Sequence, residues 1–176
     1  LPDYNLYRTD RSQRQKGGTA IFVKSSKQTK SNLSFSNGTV EFTVVETLEP
    51  NFVTISFYRP PSTSDINFKN ALKNLDNYLE KIQAENKTII MYGDMNFPEI
   101  KWNTECEPNN LQEDLENFIH KWCMVQLVDF PTRLNPNNIL DLIFTNDDQL
   151  VDSLTPIYSV TDVSQRLSDH ALISIS

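Results

Sequence analysis

Several short stretches of this sequence carry residue types that could perform acid–base or phosphate chemistry. Asp94 and Asn96 flank Met95 directly after the apolar run 89–92, so a carboxylate and an amide follow a short buried strand. Ligand sites in layered α/β folds form at such strand ends, although Asp and Asn also make ordinary turns there. Asp141 lies inside Asn138-Ile139-Leu140-Asp141-Leu142-Ile143-Phe144, where strand alternation gives it the face of Ile139 and Ile143. A carboxylate on an apolar face needs hydrogen bonds, a counter-charge or a ligand to offset its desolvation. The competing reading has Asp141 pinning a loop through backbone N–H groups. Ser168-Asp169-His170 precedes the closing strand. An imidazole there suits proton transfer, with Asp141 a candidate to fix its tautomer; the alternative is a strand-end His that only bonds its neighbours. Ser168 lacks the GxSxG setting of an acyl-transfer nucleophile.

Tyr58 and Arg59 end another apolar run, just before Pro60 and Pro61. The Tyr58 ring either caps the core or offers its hydroxyl to a phosphate oxygen, and Arg59 is either a solvated cation or a phosphate clamp. His120, between Ile119 and Lys121, reads as a half-exposed structural residue. Lys16-Gly17-Gly18 is too short for a phosphate-cradling loop and lacks its Lys-Ser/Thr, so the glycines read as a turn opening a strand. Trp102 either stacks on a base or closes the core beneath the Asp94 loop. Two Cys and two His are poorly spaced for zinc.

The elements that must hold these residues follow from periodicity. Strands are predicted over 19–24, 40–47 and 52–58, with a polar stretch before the hairpin signal Asn37-Gly38, and together they suggest an antiparallel meander. In the second, Val40, Phe42 and Val44 share one face and Glu41, Thr43 and Val45 the other. A helix capped by Ser64 or Asp65 is predicted to run to about residue 85, with Phe68, Leu72, Leu75, Leu79 and Ile82 toward the core. It returns to the strand at 89, a strand–helix–strand crossover. A second helix begins near Asn110, with Glu113 as capping-box partner and Leu111, Leu115, Phe118, Ile119 and Trp122 as its apolar stripe. Short strands are predicted at 125–128, 139–145 and 171–175, and 130–138 as loop. Many strands with two amphipathic helices predict an α/β fold of two packed sheets with helices outside.

Bulk properties narrow the function. The 176 residues fit one domain, and no run approaches the length of a membrane span. Cys106 and Cys123, without CxxC spacing, read as free thiols in a reducing, intracellular compartment. A net charge of −7 argues against holding nucleic acid by bulk electrostatics. It is compatible with a metal enzyme acting on a phosphodiester, because carboxylates clustered around a cation also lower the pI.

YRPPS at 58–62, GDMN at 93–96, LDLIFTN at 140–146 and SDH at 168–170, in that order, resemble the endonuclease/exonuclease/phosphatase superfamily. GGTAIFVK, GDMNFPEIKW, DFPTR and ILDLIFTN further resemble the apurinic-type endonuclease domain of jockey-like non-LTR retrotransposons. The likeness runs from about Tyr4 to the end. It implies a four-layered α/β sandwich, two packed mixed sheets with outer helices. It also implies DNA phosphodiester hydrolysis with Mg²⁺ or Mn²⁺, leaving 3′-hydroxyl and 5′-phosphate ends. The roles it implies are His170 as general base or transition-state phosphate contact oriented by Asp141, and Asp94 positioning or deprotonating the attacking water. Asn96 would bind the scissile phosphate region, Asp169 would serve the metal, and Tyr58 would touch the phosphate. The implied partners are DNA and a reverse transcriptase domain in the same polyprotein, with no membrane, and the implied place is the nucleus.

Two departures qualify the resemblance. The family's early Asn strand and Glu-bearing strand would lie before Leu1, and Glu41 and Glu46 come too late to replace that Glu. The expectation is a domain lacking its first strands, weak in metal binding, poor in cutting and marginal in solubility. Pro61 stands where many superfamily members have Asn, and the jockey-like branch commonly has Pro there. The competing functions are a small-molecule phosphoesterase of the same superfamily and an inactive remnant kept as an interaction domain.

Overall fold

The computed structural model of the chain describes residues 1–11, 17–98, 100, 110–158 and 168–176. In chain order the elements are β1 (Tyr4–Thr9), β2 (Thr19–Lys24), β3 (Thr29–Ser36), β4 (Glu41–Thr47), β5 (Phe52–Tyr58), α1 (Asp65–Lys81) and β6 (Thr88–Asp94). Then come α2 (Asn110–Lys121), β7 (Val125–Gln126), β8 (Arg133–Leu134), β9 (Asn137–Asn138), β10 (Asp141–Thr145), β11 (Leu154–Ile157) and β12 (Leu172–Ile175). A mixed six-stranded sheet, ordered β3-β4-β5-β6-β10-β7, forms the centre, and three two-stranded sheets pair β1 with β2, β8 with β9 and β11 with β12.

The meander is present, but its first strand is β3. Residues 29–36 look polar because they alternate, TKSNLSFS, and only Leu33 and Phe35 pack against the core from that strand. The turn to β4 is set by Asn37, whose Oδ1 accepts from the N–H groups of Thr39 and Val40. The predicted strand at 19–24 forms, yet it pairs with β1 outside the central sheet.

The two faces of β4 bury different chemistry. Val40, Phe42 and Val44 join the helix-side core, as the alternation predicts. Glu41 and Thr43, expected on the opposite face, are fully buried as well. The β1–β2 hairpin covers them: Thr9 and Thr19 hydroxyls meet the Thr43 hydroxyl at 2.8 Å, and Arg11 makes a two-pronged ion pair with Glu41 at 2.7 Å. A buried carboxylate survives there because its charge and lone pairs are matched.

Helix α1 starts where Ser64 Oγ accepts from the Asn67 N–H, and it buries Phe68, Ala71, Leu72, Leu75 and Leu79. It ends at Lys81, short of the expected 85, because Gln83 turns left-handed (φ 54°) into a 3-10 turn at Ala84–Asn86. The crossover then delivers β6 parallel to β5. Helix α2 docks on α1 through Lys121 to Asp76 and Glu80 and through the Trp122 indole N–H to Asp76. The side chains of Asn110 and Leu111, and residues Lys16, Trp102 and Cys106, lie outside the described residues.

One run of aromatic contacts links this frame to the loop after β6. Phe35, Phe42, Phe57, Phe68 and Phe97 touch in sequence with ring centroids 4.7, 5.9, 6.2 and 5.5 Å apart. Full burial of each Phe side chain is worth about 1.5–3 kcal/mol, with somewhat more per ring pair. Phe97 thereby anchors the segment that carries Asp94 and Asn96.

Candidate active site

The site lies where β6 ends and β10 begins. In the antiparallel pairing of these strands Asp94 is the direct partner of Asp141. Both belong to the face that carries Tyr92 and Ile143, since Met91 and Phe144 on the other face pack into the helix-side core. Asp141 therefore shares a face with Ile143, as strand periodicity predicts. That face looks onto β12 across a cavity of about 370 Å³, lined by Tyr92, Gly93, Asp141, Ile143, Leu172 and Ile175 among others.

Gly93 brings the backbone to this point. Gly93 is a residue of β6 with φ 147°, and its lack of a side chain is required by packing. A Cβ would stand 1.8 Å from the Phe57 carbonyl oxygen. Beyond it, the Asp94 carbonyl accepts from Arg59 N, and Met95 N donates to the Leu140 carbonyl. Asn96 adopts a left-handed φ of 48°. Its backbone N–H donates to Asp94 Oδ1 at 3.1 Å and its side-chain amide to the Arg59 carbonyl at 2.8 Å.

Arg59 supports this loop from beneath. It is only 4% exposed, its Nη1 donates to the carbonyls of Asn96 and Met95, and its guanidinium lies 4.1 Å from the Phe97 ring centroid. That placement matches neither of the two readings from sequence, since the side chain faces inward.

His170 comes to the cluster from the far end of the chain. Its Nδ1 is 2.7 Å from Asp141 Oδ2. With Nδ1 committed to a carboxylate, Nε2 is the nitrogen left for other chemistry. Ser168 Oγ accepts the His170 backbone N–H at 3.0 Å, a local turn bond.

Thr132 splices the two strand starts. It is fully buried, its Oγ1 accepts from both Leu140 N and Asp141 N at 3.0 Å, and its carbonyl accepts from Ala171 N at 2.7 Å. Its neighbour Arg133 forms an antiparallel bridge with His170. A single threonine in a loop carries no periodic signal, so nothing but its place in the DFPTR phrase marked it in the sequence. The same holds for β8 and β9, which occupy the predicted loop.

Burial, and then the facing charge of Asp141, lift the Asp94 carboxyl from 3.8 to about 6, with His170 opposing the rise. The half-buried Tyr58 hydroxyl is also raised, first by burial and next by the negative charge of Asp94. Tyr58 is thus electrically part of the site, with the Arg11 guanidinium 5.5 Å from its ring centroid.

Among the described residues, Asp94, Asp141 and His170 form a group whose ligand atoms all lie within 4.8 Å of one another. Two carboxylates and an imidazole suit a hard divalent cation, which takes carboxylate oxygens and completes its shell with water or phosphate. Asp169, expected at the metal, is outside this group; its Oδ2 is 2.7 Å from Arg133 Nη2. Glu41 and Glu46 are also outside it, held by Arg11 and by Lys87. His120 is not a member of the cluster, and it is exposed where the sequence suggested a half-exposed residue.

The sequence matches the model of the endonuclease-reverse transcriptase family over residues 52–174, well over half its length. No curated protein matches it. Among solved structures it is similar to the endonuclease domain of TRAS1, a telomere-specific non-LTR retrotransposon, at TM-score 0.64 and 16% identity, covering 97% of this chain and 76% of that one. An endonuclease/exonuclease/phosphatase from Bacteroides vulgatus matches at TM-score 0.63 and 14% identity, covering 100% and 78%. A mannosyl-6-phosphatase from Bacteroides thetaiotaomicron matches at TM-score 0.58 and 13% identity, covering 100% and 77%. At these identities the structural likeness speaks for the fold, and it spans both nucleases and a sugar phosphatase.

Proposed function

This chain belongs to the endonuclease-reverse transcriptase family, within the endonuclease/exonuclease/phosphatase superfamily, and we propose that it hydrolyses DNA phosphodiester bonds with a divalent cation, Mg²⁺ or Mn²⁺. The proposal places it in the jockey-like branch, as a target-site nicking domain with the branch's four-layered sandwich. The observation that carries it is the convergence of Asp94, Asp141 and His170, with ligand atoms within 4.8 Å, from segments far apart in sequence.

Asp94 and Asp141 would hold the cation, which supplies charge neutralisation for the phosphoryl oxygens when bound. The remaining work belongs to side chains. Asp94, whose carboxyl is raised to about 6 in the metal-free chain by burial and by Asp141, is mostly ionised at neutral pH and would orient the attacking water. Asp141 holds His170 through Nδ1 and so aims Nε2 at the phosphate. Asn96, whose side-chain amide donates to the Arg59 carbonyl and also hydrogen-bonds the Asp94 carboxylate, would face the scissile phosphate region beside that carboxylate. Tyr58 offers its hydroxyl from the strand beside Asp94. Arg59 acts on the substrate only by shaping the loop. With two carboxylates in the group, cation affinity is expected to be weak.

Two assays run side by side test the reading: nicking of supercoiled plasmid with Mg²⁺ or with EDTA, and phosphate release from small sugar and nucleotide monoesters. Mg²⁺-dependent nicking without monoester turnover is expected. Monoester turnover without nicking would transfer the site to the small-molecule phosphatases of the superfamily.

A further inference from the structure

Arg133 stands next to the cluster and is left unused by the mechanism above. It faces His170 across an antiparallel bridge, and partners in such a bridge project to one face. Its Nη2 meets Asp169 Oδ2 at 2.7 Å, while its Nε is buried and has no hydrogen-bond partner among the described residues. The side chain is 37% exposed and that of Asp169 58%. An ion pair this exposed adds little stability, yet it fixes a guanidinium beside the imidazole. The other two arginines at the site are occupied: Arg11 by buried Glu41, and Arg59 by the loop carbonyls. A chain of net charge −7 needs a local cation where a polyanion meets three acidic or imidazole groups.

We propose that Arg133 contacts a backbone phosphate of the substrate beside the scissile one, and that Asp169 is a positioning residue for that guanidinium and not a ligand of the cation. The planar fork of Arg suits a phosphate, and one carboxylate oxygen leaves most of its donors unspent. The proposal rests on the nucleic-acid reading above and names the residue through which the chain would grip the strand.

The test is fluorescence anisotropy of a labelled DNA duplex titrated with the chain over a series of NaCl concentrations in EDTA, where no cutting occurs. Arg133→Gln is expected to bind about fivefold more weakly and to flatten the log K against log[salt] slope by about one phosphate contact, with Arg133→Lys keeping the wild-type slope. Asp169→Asn is expected to leave Mn²⁺ affinity, followed by electron paramagnetic resonance, at the wild-type value. Wild type that binds DNA with an unchanged slope in Arg133→Gln overturns this proposal alone. So does a tenfold loss of Mn²⁺ affinity in Asp169→Asn, a measurement independent of whether the Arg133 variants fold. Wild type that binds no duplex overturns the nucleic-acid reading, and this proposal with it.

Discussion

Asp94 and Asp141 are direct cross-strand partners at the junction of β6 and β10, so the fold sets two carboxylates opposite each other on one face. Like charges so placed oppose folding unless a proton or a cation intervenes.

Stability of the metal-free chain should therefore fall as pH rises through this site's titration. The Asp94 carboxyl titrates near 6 in the folded chain against 3.8 for the free group. The folded state thus holds the proton more tightly than the unfolded state, and folding stability from this group is lost between about pH 4 and 6. The full linkage would be about 3 kcal/mol, reduced to roughly 1–2 because Asp94 is partly exposed. Urea unfolding in EDTA should show Asp94→Asn more stable than wild type by that amount at pH 7.5, with the gap closing below pH 4. A gap that does not change with pH would contradict the assignment.

Divalent cations should reverse that order. If Asp94 and Asp141 share a cation, millimolar Mn²⁺ should raise the wild-type Tm and leave Asp94→Asn nearly unchanged. Equal shifts in both chains would place the bound ion elsewhere.

Gly93→Ala should be among the most damaging single-methyl additions available. Its Cβ would overlap the Phe57 carbonyl at 1.8 Å, and neither β5 nor β6 can retreat without breaking their pairing. A loss of at least about 3 kcal/mol, or failure to fold, is expected from thermal unfolding.

Thr132→Val tests the splice between strands. Removing Oγ1 leaves the buried Leu140 N–H without its acceptor, at about 1–3 kcal/mol, and the part-buried Asp141 N–H as well, at a smaller cost. Nicking should drop by more than the unfolded fraction explains, because Asp141 loses its register with His170. Thr132→Ser, which keeps the hydroxyl, should restore both.

The readable parts of this molecule were those with a strong local signal. The α1 stripe, its Ser64 cap, the crossover to β6 and the Asn37-Gly38 turn each rest on short-range periodicity or turn chemistry. Asp141 stood out because a carboxylate on an apolar strand face has to be matched by something. Less was visible where the partner is remote. The strand at 29–36 has few apolar residues because only one of its faces packs on the core. Arg59 reads locally as either a solvated cation or a phosphate clamp, because nothing in the neighbouring sequence shows Phe97 folding back over it. Asp169 sits in the SDH phrase, but its ion pair depends on Arg133, 36 residues earlier and on another hairpin. Thr132 is the clearest case: its importance lies in two backbone N–H groups brought to it by the fold.

Cutting itself is the sharpest test of the Asp94–Asp141–His170 cluster. Supercoiled plasmid is incubated with Mg²⁺ and the wild-type chain, and in parallel with His170→Ala, whose fold is verified by circular dichroism. Wild type should produce open circles that EDTA abolishes, and His170→Ala should nick at least ~100-fold more slowly while remaining folded. Undiminished nicking by folded His170→Ala would contradict the assignment.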